Sequence, residues 1–315
     1  MSIKTTAVVF ERPELLRLRE LELSPPGDED VVVAVQWSGI STGTERLLWS
    51  GQMPQFPGMG YPLVPGYESV GRVCAAGRSS QDWIGECVFV PGSRCFAGVR
   101  GLFGGAAAQL VVPASRVVPI DDALEDKAVL LALAATAYHA IAAPGARRPD
   151  LIVGHGVLGR LLARPTLIDG DAPPLVWEAD PQRMGGAEGY RVLSPTEDDR
   201  RDYRTIYDVS GDAALLDELI GRLAPGGEIV LAGFYSQPLF FSFPPAFMRE
   251  VRIRVAAEWR ESDMDAASSL VESGLLSLDG LITHRKDASD AEAAYRTAFG
   301  DPTCLKMVLD WKKLA

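Results

Sequence analysis

A glycine-rich hexapeptide in the middle of the chain has the spacing of a dinucleotide-binding turn. It follows the apolar stretch 151–153 and precedes a stretch with helical periodicity. In such a turn the first glycine permits a tight bend, the second lets a pyrophosphate approach the backbone, and the third lets helix and strand pack closely. The unpaired N–H groups at the start of the helix attract phosphate oxygens. The six residues are Gly154, His155, Gly156, Val157, Leu158 and Gly159.

An acidic residue at the end of the next predicted strand indicates which dinucleotide binds. Glu178 lies 19 residues after Gly159, where a carboxylate accepts a hydrogen bond from the ribose 2′-hydroxyl. A carboxylate in that place repels a 2′-phosphate, so the sequence favours NAD over NADP. Ser210 and Gly233 are also included in the expected cofactor site.

The chain around this turn alternates between predicted strands and helices. Strands are predicted at 150–153, 175–178, 190–193, 205–209, 228–232 and 251–255. Short connections between alternating elements predict right-handed βαβ units and a doubly wound parallel sheet of the Rossmann type. Pro165 is expected to end the helix after the glycine turn near Arg164. The predicted helices cover residues 124–141, 157–168, 181–188, 213–223 and 263–273.

The first 120 residues have a different character, because short β-branched stretches between glycines and prolines replace the alternation. They predict a partly open β-barrel. The tail contains a predicted helix and a final strand at 304–310, and it is expected to return to this barrel. The predicted domains are therefore a barrel domain made of 1–122 and 258–315 and a nucleotide-binding domain made of 123–257. The predicted strands of the barrel cover 5–10, 30–37, 69–75, 87–90 and 109–112.

Composition and charge restrict the partners of the chain. Its 315 residues are 47% hydrophobic and 23% charged, with a net charge of −11, which disfavours nucleic acid and anionic membrane surfaces. The most apolar run, 128–143, is too short to span a bilayer, and residues 1–16 lack the apolar core of a signal peptide. We therefore expect a cytoplasmic protein without integral membrane association. Its four cysteines, Cys74, Cys87, Cys95 and Cys304, are expected to be reduced.

Short motifs along the whole chain resemble those of the medium-chain dehydrogenase/reductase superfamily. Their order and spacing, more than any single motif, carry the resemblance. It implies a GroES-like barrel domain followed by a Rossmann domain, in agreement with the elements predicted above. The motifs are 38–45 (SGISTGTE), 65–71 (PGYESVG), 82–88 (DWIGECV), 104–106 (GGA), 135–140 (ATAYHA), 208–211 (DVSG) and 226–230 (GGEIV).

The chain departs from the zinc-binding members of that superfamily. Those relatives have a cysteine where this chain has Ser41 and a histidine where it has Tyr67. Hydroxyl groups are poor zinc ligands beside thiolate and imidazole. The region of the four-cysteine structural zinc lobe holds only Cys87 and Cys95, and two thiols cannot close a tetrahedral site. The resemblance therefore implies NAD as the cofactor and no bound metal.

Oxidation of an alcohol without a metal requires a side chain that accepts or relays the hydroxyl proton. The matching motifs place four candidates at the positions that zinc ligands leave: Ser41, Thr44, Tyr67 and Glu68. We expect Glu68 or Tyr67 to accept or relay the proton and Thr44 or Ser41 to hold the hydroxyl group. A structural carboxylate is the alternative for Glu68. His139 also falls in a matched motif, with a core histidine as its alternative.

Within the superfamily, three stretches resemble the 3-hydroxyethyl bacteriochlorophyllide a dehydrogenases of bacteriochlorophyll biosynthesis: 38–45, 65–69 and 153–160 (VGHGVLGR). That resemblance implies oxidation of a 3-(1-hydroxyethyl) side chain to a 3-acetyl group with NAD⁺. A segment rich in aromatics and methionine, 46–61, suits a wide, flat tetrapyrrole, with ordinary loop and interface packing as the alternative. Arg94 or Arg100 is available for a propionate carboxylate, with a solvated surface arginine as the alternative. The expected substrate-binding residues are Trp49, Met53, Phe56, Met59 and Arg94.

Two other functions fit the sequence. The first is a zinc-free quinone, enone or other alcohol oxidoreductase; reductases of that type commonly use NADPH, against which Glu178 argues. The second is a protein that binds a pigment or a cofactor without turnover. Only an activity measurement distinguishes it from an enzyme. By analogy with the superfamily, we expect a homodimer that pairs the edge strands of two Rossmann sheets.

Overall fold

The last strand of the chain pairs with a strand from its first 40 residues, so the two ends of the sequence build one unit. The computed structural model describes residues 3–168, 170 and 172–314. It divides into a first unit, Met1–Ala132 with Leu281–Ala315, and a second unit, Leu133–Gly280.

The strands and α-helices have the following bounds. The strands are β1 (Lys4–Arg12), β2 (Leu15–Glu22), β3 (Asp30–Ile40), β4 (Ser69–Ala76), β5 (Cys87–Val90), β6 (Gln109–Pro113), β7 (Val118–Pro119), β8 (Leu151–Val153), β9 (Leu175–Trp177), β10 (Arg191–Leu193), β11 (Tyr203–Asp208), β12 (Leu223–Leu231), β13 (Arg252–Val255), β14 (His284–Asp287) and β15 (Met307–Asp310). The α-helices are α1 (Thr44–Ser50), α2 (Leu131–Ala142), α3 (Val157–Thr166), α4 (Leu216–Arg222), α5 (Phe243–Met248), α6 (Glu261–Glu272) and α7 (Ala291–Gly300).

The first unit is built on a mostly antiparallel sheet of seven strands in the order β14-β15-β3-β4-β5-β7, with β6 also paired to β3. A separate antiparallel ribbon joins β1 and β2. Strand β3 is central because its β-branched residues are buried: Val31, Val33 and Val35 are each 0% exposed. Strand β15 pairs antiparallel with β3, with Met307 opposite Ile40. The predicted β-rich first module is confirmed.

The second unit contains a six-stranded parallel sheet in the order β10-β9-β8-β11-β12-β13. The order reverses between β8 and β11, which are neighbours in the sheet. In such doubly wound sheets, ligands bind beyond the carboxyl ends of the strands at this reversal. The predicted Rossmann architecture is confirmed, and the residues that follow β8 and β11 lie where a dinucleotide is expected.

Two predicted helices differ from the structure. The helix predicted over 124–141 is a 3₁₀ segment, Asp122–Leu130, followed by α2, and Glu125 interrupts the segment with φ 47°. The helix predicted over 181–188 is wrong: a single 3₁₀ turn, Pro181–Arg183, stands there. Glycine is a weak helix former, and Gly186 has φ 77°, outside the helical region.

Further differences concern short elements and boundaries. The sequence does not predict helix α1 or strand β2. Helix α3 is expected from the sequence to end near Arg164, but it continues through Pro165 to Thr166. The helix tolerates this proline because, in the last turn, it removes only one backbone hydrogen bond. Residues 258–280, predicted to return to the barrel domain, lie in the second unit; there α6 buries Met264 and Ala267. The predicted domain assignment otherwise stays a prediction. Within the described ranges, no helix combines the length and hydropathy needed to cross a bilayer.

Candidate functional site

The glycine turn after β8 has the conformation that its sequence predicts. Gly154 has φ 105°, a backbone region that favours glycine. A Cβ on Gly159 would lie 1.9 Å from the Gly154 carbonyl oxygen, so only glycine lets α3 pack this close to the turn. A Cβ on Gly156 would meet nothing within 4 Å. The space beside Gly156 is therefore open to a pyrophosphate, and the turn fits a dinucleotide.

Glu178 follows directly after β9 and is held by the backbone. Its Oε2 accepts a hydrogen bond from the His155 N–H at 3.0 Å, and its Oε1 accepts one from the Asp180 N–H at 2.9 Å. An ionised carboxylate has about four acceptor sites, so two remain after these bonds. The half-buried carboxylate is thus fixed beside the glycine turn with acceptor capacity for a ribose hydroxyl.

The other predicted cofactor residues near the turn are buried side chains or backbone groups, and their role toward the cofactor stays a prediction. The His155 side chain is fully buried, and burial lowers its pKa to about 4, so the ring is neutral. Val157 and Leu158 begin α3, where the first N–H groups have no helical partner. The Gly233 N–H donates to the Asp208 carbonyl oxygen at 3.0 Å, beyond the end of β12.

Ser210 lies beside a buried acid that the sequence analysis did not single out. Asp208 ends β11 and is 2% exposed. Its Oδ1 accepts hydrogen bonds from the N–H and the hydroxyl of Ser210 at 2.9 and 2.7 Å. Burial raises the pKa of Asp208, which the bonds from Ser210 oppose. The acid orients Ser210 at the reversal of the strand order, next to the glycine turn.

In the first unit, the structure brings three of the four predicted catalytic residues together. The Tyr67 hydroxyl donates to the Ser41 Oγ at 2.6 Å, and the Thr44 side chain lies close enough to Tyr67 to lower its pKa. Burial, followed by the nearby Glu68 charge, raises the pKa of Tyr67 above its ordinary value. Tyr67 therefore keeps its proton at neutral pH and is suited to relay protons along a chain of hydroxyl groups.

Glu68 has a partner that the sequence analysis did not identify. The Lys306 Nζ donates to its two carboxylate oxygens at 2.9 and 2.6 Å, and Glu68 and Lys306 are 0% and 1% exposed. Burial raises the pKa of Glu68, while the ammonium group of Lys306 opposes that rise. The geometry is that of a buried ion pair. Glu68 thus resembles the structural carboxylate that the sequence left as its alternative.

A second buried acid of this group, Glu45, was also missed. Its Oε1 accepts from the Ser41 N–H at 3.0 Å, and its Oε2 accepts from the Tyr295 hydroxyl at 2.8 Å. Burial raises its pKa from 4.5 to about 7, against these two hydrogen bonds. Glu45 is part of the motif 38–45, but only the tertiary contact with α7 explains its burial.

The donor set around Ser41 and Tyr67 does not fit zinc. The hydroxyl groups of Ser41 and Tyr67 are engaged with each other. Of the two buried carboxylates, Glu45 already accepts from the Ser41 N–H and the Tyr295 hydroxyl, and Glu68 is paired with the ammonium group of Lys306. Zinc sites use thiolate, imidazole or unpaired carboxylate ligands. Across the residues that the structure describes, no cluster of three or more His, Cys, Asp and Glu side chains is arranged to hold a metal ion.

The expected substrate residues divide between core and surface. Met53 and Met59 belong to the hydrophobic core of the first unit, with exposures of 4% and 9%. Trp49 packs edge-on against Phe10, with ring centroids 5.5 Å apart. Phe56 and Arg94 are exposed. The assignment of these five residues to the substrate stays a prediction.

His139 contacts an acid within the second unit. Its Nδ1 lies 2.7 Å from Oδ2 of Asp263, at the start of α6, and both side chains are largely buried. The pair joins α2 to α6, which supports the alternative of a structural histidine.

Comparisons with known proteins agree with this fold. Residues 27–122 match the alcohol dehydrogenase GroES-like domain. An alcohol dehydrogenase of Escherichia coli CFT073, solved with NADH, superposes with a TM-score of 0.83 at 23% identity, covering 98% of this chain and 99% of that one. A 2R,3R-butanediol dehydrogenase of Bacillus subtilis gives 0.83 at 19% identity, covering 97% and 99%. At these identities the likeness establishes the fold.

Two relatives are much more similar. The 2-desacetyl-2-hydroxyethyl bacteriochlorophyllide A dehydrogenase of Cereibacter sphaeroides is 57% identical over 99% of this chain and 100% of its own length. The enzyme of the same name from Rhodobacter capsulatus is 57% identical over 98% and 99%. The GroES-like module, the doubly wound sheet and the glycine turn define a medium-chain dehydrogenase/reductase. Within that superfamily, the chain belongs to the bacteriochlorophyllide A dehydrogenase family of these two relatives, which confirms the resemblance read from its motifs.

Proposed function

We propose that this protein is an NAD-dependent dehydrogenase that oxidises the 3-(1-hydroxyethyl) group of bacteriochlorophyllide a to a 3-acetyl group. The observation that carries the proposal is full-length identity of 57% to two dehydrogenases named for a hydroxyethyl bacteriochlorophyllide. The glycine turn with Glu178 supports the cofactor, since it combines space beside Gly156 with a fixed carboxylate. NAD is preferred over NADP because Glu178 repels a 2′-phosphate.

The reaction separates a hydride from a proton. The C–H bond of the secondary alcohol breaks with its electron pair, the O–H bond releases a proton, and the carbon–oxygen bond becomes double. When bound, NAD⁺ accepts the hydride. The residues proposed to hold it are the glycine turn 154–159, Glu178, Ser210 and Gly233. The remaining task of the chain is to hold the alcohol and remove the proton.

We propose that Tyr67 and Ser41 handle the proton, with Thr44 as a further member of the hydroxyl chain. Their hydrogen bond of 2.6 Å is short enough for proton transfer, and the raised pKa of Tyr67 favours a relay over a stored phenolate. Glu68 is proposed as a charge that Lys306 neutralises, not as the base. The site is proposed to work without zinc, because its hydroxyl donors are poor zinc ligands.

The substrate is proposed to contact the segment around Phe56, with Arg94 available for a propionate. Both side chains are exposed in the first unit, and an arginine binds a carboxylate through two parallel hydrogen bonds. The more buried Trp49, Met53 and Met59 are proposed to shape this surface from below. A cytoplasmic location remains a prediction from the sequence.

A homodimer is proposed through β13. This strand is at the edge of the parallel sheet, and its Ile253 and Val255 are 39% and 73% exposed. The strand also carries Arg252 and Arg254, but the unpaired backbone groups of an exposed edge strand are a template for pairing with another strand. Two copies of β13 related by a twofold axis would pair antiparallel and cover these side chains.

The decisive assay mixes the purified protein with 3-(1-hydroxyethyl) bacteriochlorophyllide a and NAD⁺ and records pigment and NADH absorbance together. We expect a red-shifted pigment band to rise in step with NADH, unchanged by a chelator and much slower with NADP⁺. Inhibition by the chelator would overturn the zinc-free mechanism alone. Binding of NAD⁺ and pigment without any turnover would replace the enzyme with a pigment-binding protein, and turnover of quinones in place of pigment would indicate the reductase.

A further inference from the structure

Arg160, in the first turn of α3, is a buried arginine that binds backbone oxygens. It is 4% exposed. Its Nε donates to the His155 carbonyl oxygen at 3.0 Å. Its two terminal nitrogens donate to the carbonyl oxygens of Arg183, Gly185 and Gly186 at 3.1, 2.7 and 3.1 Å. One guanidinium group therefore joins the glycine turn to the loop that continues from Glu178.

His155 makes a second connection between the same two segments. Its Nδ1 lies 2.7 Å from the Arg183 carbonyl oxygen, which requires Nδ1 to carry the proton and donate. Its Nε2 then accepts from the Tyr190 hydroxyl at 2.9 Å. The lowered pKa of His155 agrees with a neutral ring in this tautomer. The carbonyl of Arg183 thus receives bonds from both His155 and Arg160.

The loop is shaped around the guanidinium group. Gly186 has φ 77°, and a Cβ there would lie 2.7 Å from the Arg160 Nη1. The carbonyl groups that accept from Arg160 cannot also accept helical hydrogen bonds. This agrees with the structure of the described residues 181–188, which form a single 3₁₀ turn and a loop and not the predicted helix. The conformation of 183–186 therefore depends on Arg160.

These contacts affect cofactor binding because a dinucleotide must contact the glycine turn and Glu178 at the same time. Its pyrophosphate requires the turn at Gly156, and its adenosine ribose requires the carboxylate of Glu178. A loop that is already fixed loses less conformational entropy when the ligand binds. The buried positive charge of Arg160 also adds to the partial positive charge at the start of α3, which favours a pyrophosphate.

We infer that Arg160 and His155 are positioning residues for the cofactor: they hold the loop after Glu178 against the glycine turn and so set the affinity for the ADP-ribose half of NAD. The inference rests on the proposed NAD site and assigns a role to two side chains whose polar atoms are bonded to the protein itself. Tyr190 supports His155 and belongs to the same arrangement.

The test compares Arg160→Met with Arg164→Met, which changes an arginine on the same helix. Arg164 also donates to two backbone carbonyls, those of Ser277 and Asp279, but these lie outside the cofactor loop. Calorimetry measures the Kd for NAD⁺, ADP-ribose and nicotinamide mononucleotide, and thermal unfolding checks the fold. In Arg160→Met we expect the Kd for NAD⁺ and ADP-ribose to rise about tenfold or more, as for the loss of a hydrogen bond to a charged group.

In both variants, the affinity for nicotinamide mononucleotide and the kcat at saturating NAD⁺ should stay within about twofold of wild type. Arg160→Lys keeps the positive charge and should recover part of the ADP-ribose affinity. Wild-type affinity for ADP-ribose in folded Arg160→Met would overturn the inference. If that variant does not fold, Tyr190→Phe, which removes only the donor to His155, carries the test with an expected rise of about threefold. A wild-type protein that binds no dinucleotide would instead overturn the proposed NAD function.

Discussion

Lys306 donates to both carboxylate oxygens of Glu68 across 238 residues of sequence, and neither side chain reaches solvent. The contact forms because Lys306 directly precedes β15 and Glu68 directly precedes β4, and both strands pair with the Trp37–Ile40 end of β3. The pair therefore depends on the return of the chain's end to the first unit. It also gives Glu68 a fixed partner next to the proposed proton relay at Tyr67.

Removing the cation from this pair should destabilise the protein strongly. Lys306→Met leaves the Glu68 carboxylate buried without a counter-charge, and loss of one partner of a buried pair costs about 3–5 kcal/mol. Urea unfolding at pH 7 measures the change in the free energy of unfolding. Lys4→Met is the matched control: it breaks the exposed Lys4–Glu20 pair and should change little. Equal effects of the two substitutions would contradict the ion-pair interpretation.

Glu45 should make stability depend on pH in the neutral range. Its pKa is raised from 4.5 to about 7 in the folded protein, so the folded state holds the proton more tightly than the unfolded chain. The stability that Glu45 contributes is complete below about pH 4.5 and is lost as the pH rises through about 7. A rise of this size corresponds to about 3 kcal/mol.

Glu45→Gln tests this directly, because glutamine resembles the protonated acid. Its oxygen can accept from the Ser41 N–H and its amide can donate to the Tyr295 oxygen. Urea unfolding at pH 5 and pH 8 should show that the loss of stability between these pH values is smaller in the variant by about 3 kcal/mol. Parallel pH profiles of the two proteins would assign the pKa change to another group.

The local parts of the site were predictable from the sequence, whereas its long-range contacts were not. The turn 154–159 is defined by contiguous residues whose glycines each meet a local constraint. Glu45 meets Tyr295 across 250 residues, and no periodicity identifies such a pair. Its partner Tyr295 is one of several buried residues of α7, and its position in the sequence does not distinguish it from the other core residues of that helix.

The predicted helix at 181–188 failed for a related reason. Its sequence contains Gly185 and Gly186, yet what fixes the loop is the guanidinium of Arg160 on another element. Helix α1 was missed because it has only seven residues and ends at Gly51 in the left-handed conformation. Strands β8 and β9 were predictable because each is a short apolar run between turn residues.

Tyr67→Phe should slow turnover without changing the fold. The substitution keeps the ring and its edge-on contact with Phe103, where the centroids are 5.1 Å apart, but removes the donor to Ser41. General acid–base groups contribute about 10²–10⁴-fold to rate, so kcat should fall by about that factor while the Kd for NAD⁺ stays unchanged. Steady-state kinetics with the pigment, beside NAD⁺ calorimetry, measure both. Near-normal kcat would remove Tyr67 from the relay.

Charges on the edge strand β13 should prevent dimer formation. Ile253→Lys with Val255→Lys adds two ammonium groups to an edge strand that already carries Arg252 and Arg254, so two copies related by symmetry would repel each other. Light scattering coupled to gel filtration should report a dimer for the wild type and a monomer for the variant. Leu275→Lys, at an exposed leucine on the loop after α6, should remain dimeric. A wild-type monomer would end the proposal.

Two alanine substitutions in the glycine turn should separate ligand binding from folding. In Gly156→Ala the new methyl group meets nothing within 4 Å, so thermal stability should be nearly unchanged. The methyl fills the space expected for the pyrophosphate, and the Kd for NAD⁺ should rise about tenfold or more, as for an overpacking cost of about 1–3 kcal/mol. In Gly159→Ala the methyl would lie 1.9 Å from the Gly154 carbonyl oxygen, which forces α3 away from the turn. Because overpacking of a tight contact costs about 1–3 kcal/mol, this variant should lose both stability and NAD⁺ affinity. Thermal unfolding and calorimetry on the same samples distinguish the two effects, and wild-type NAD⁺ affinity in Gly156→Ala would show that the cofactor does not bind at this turn.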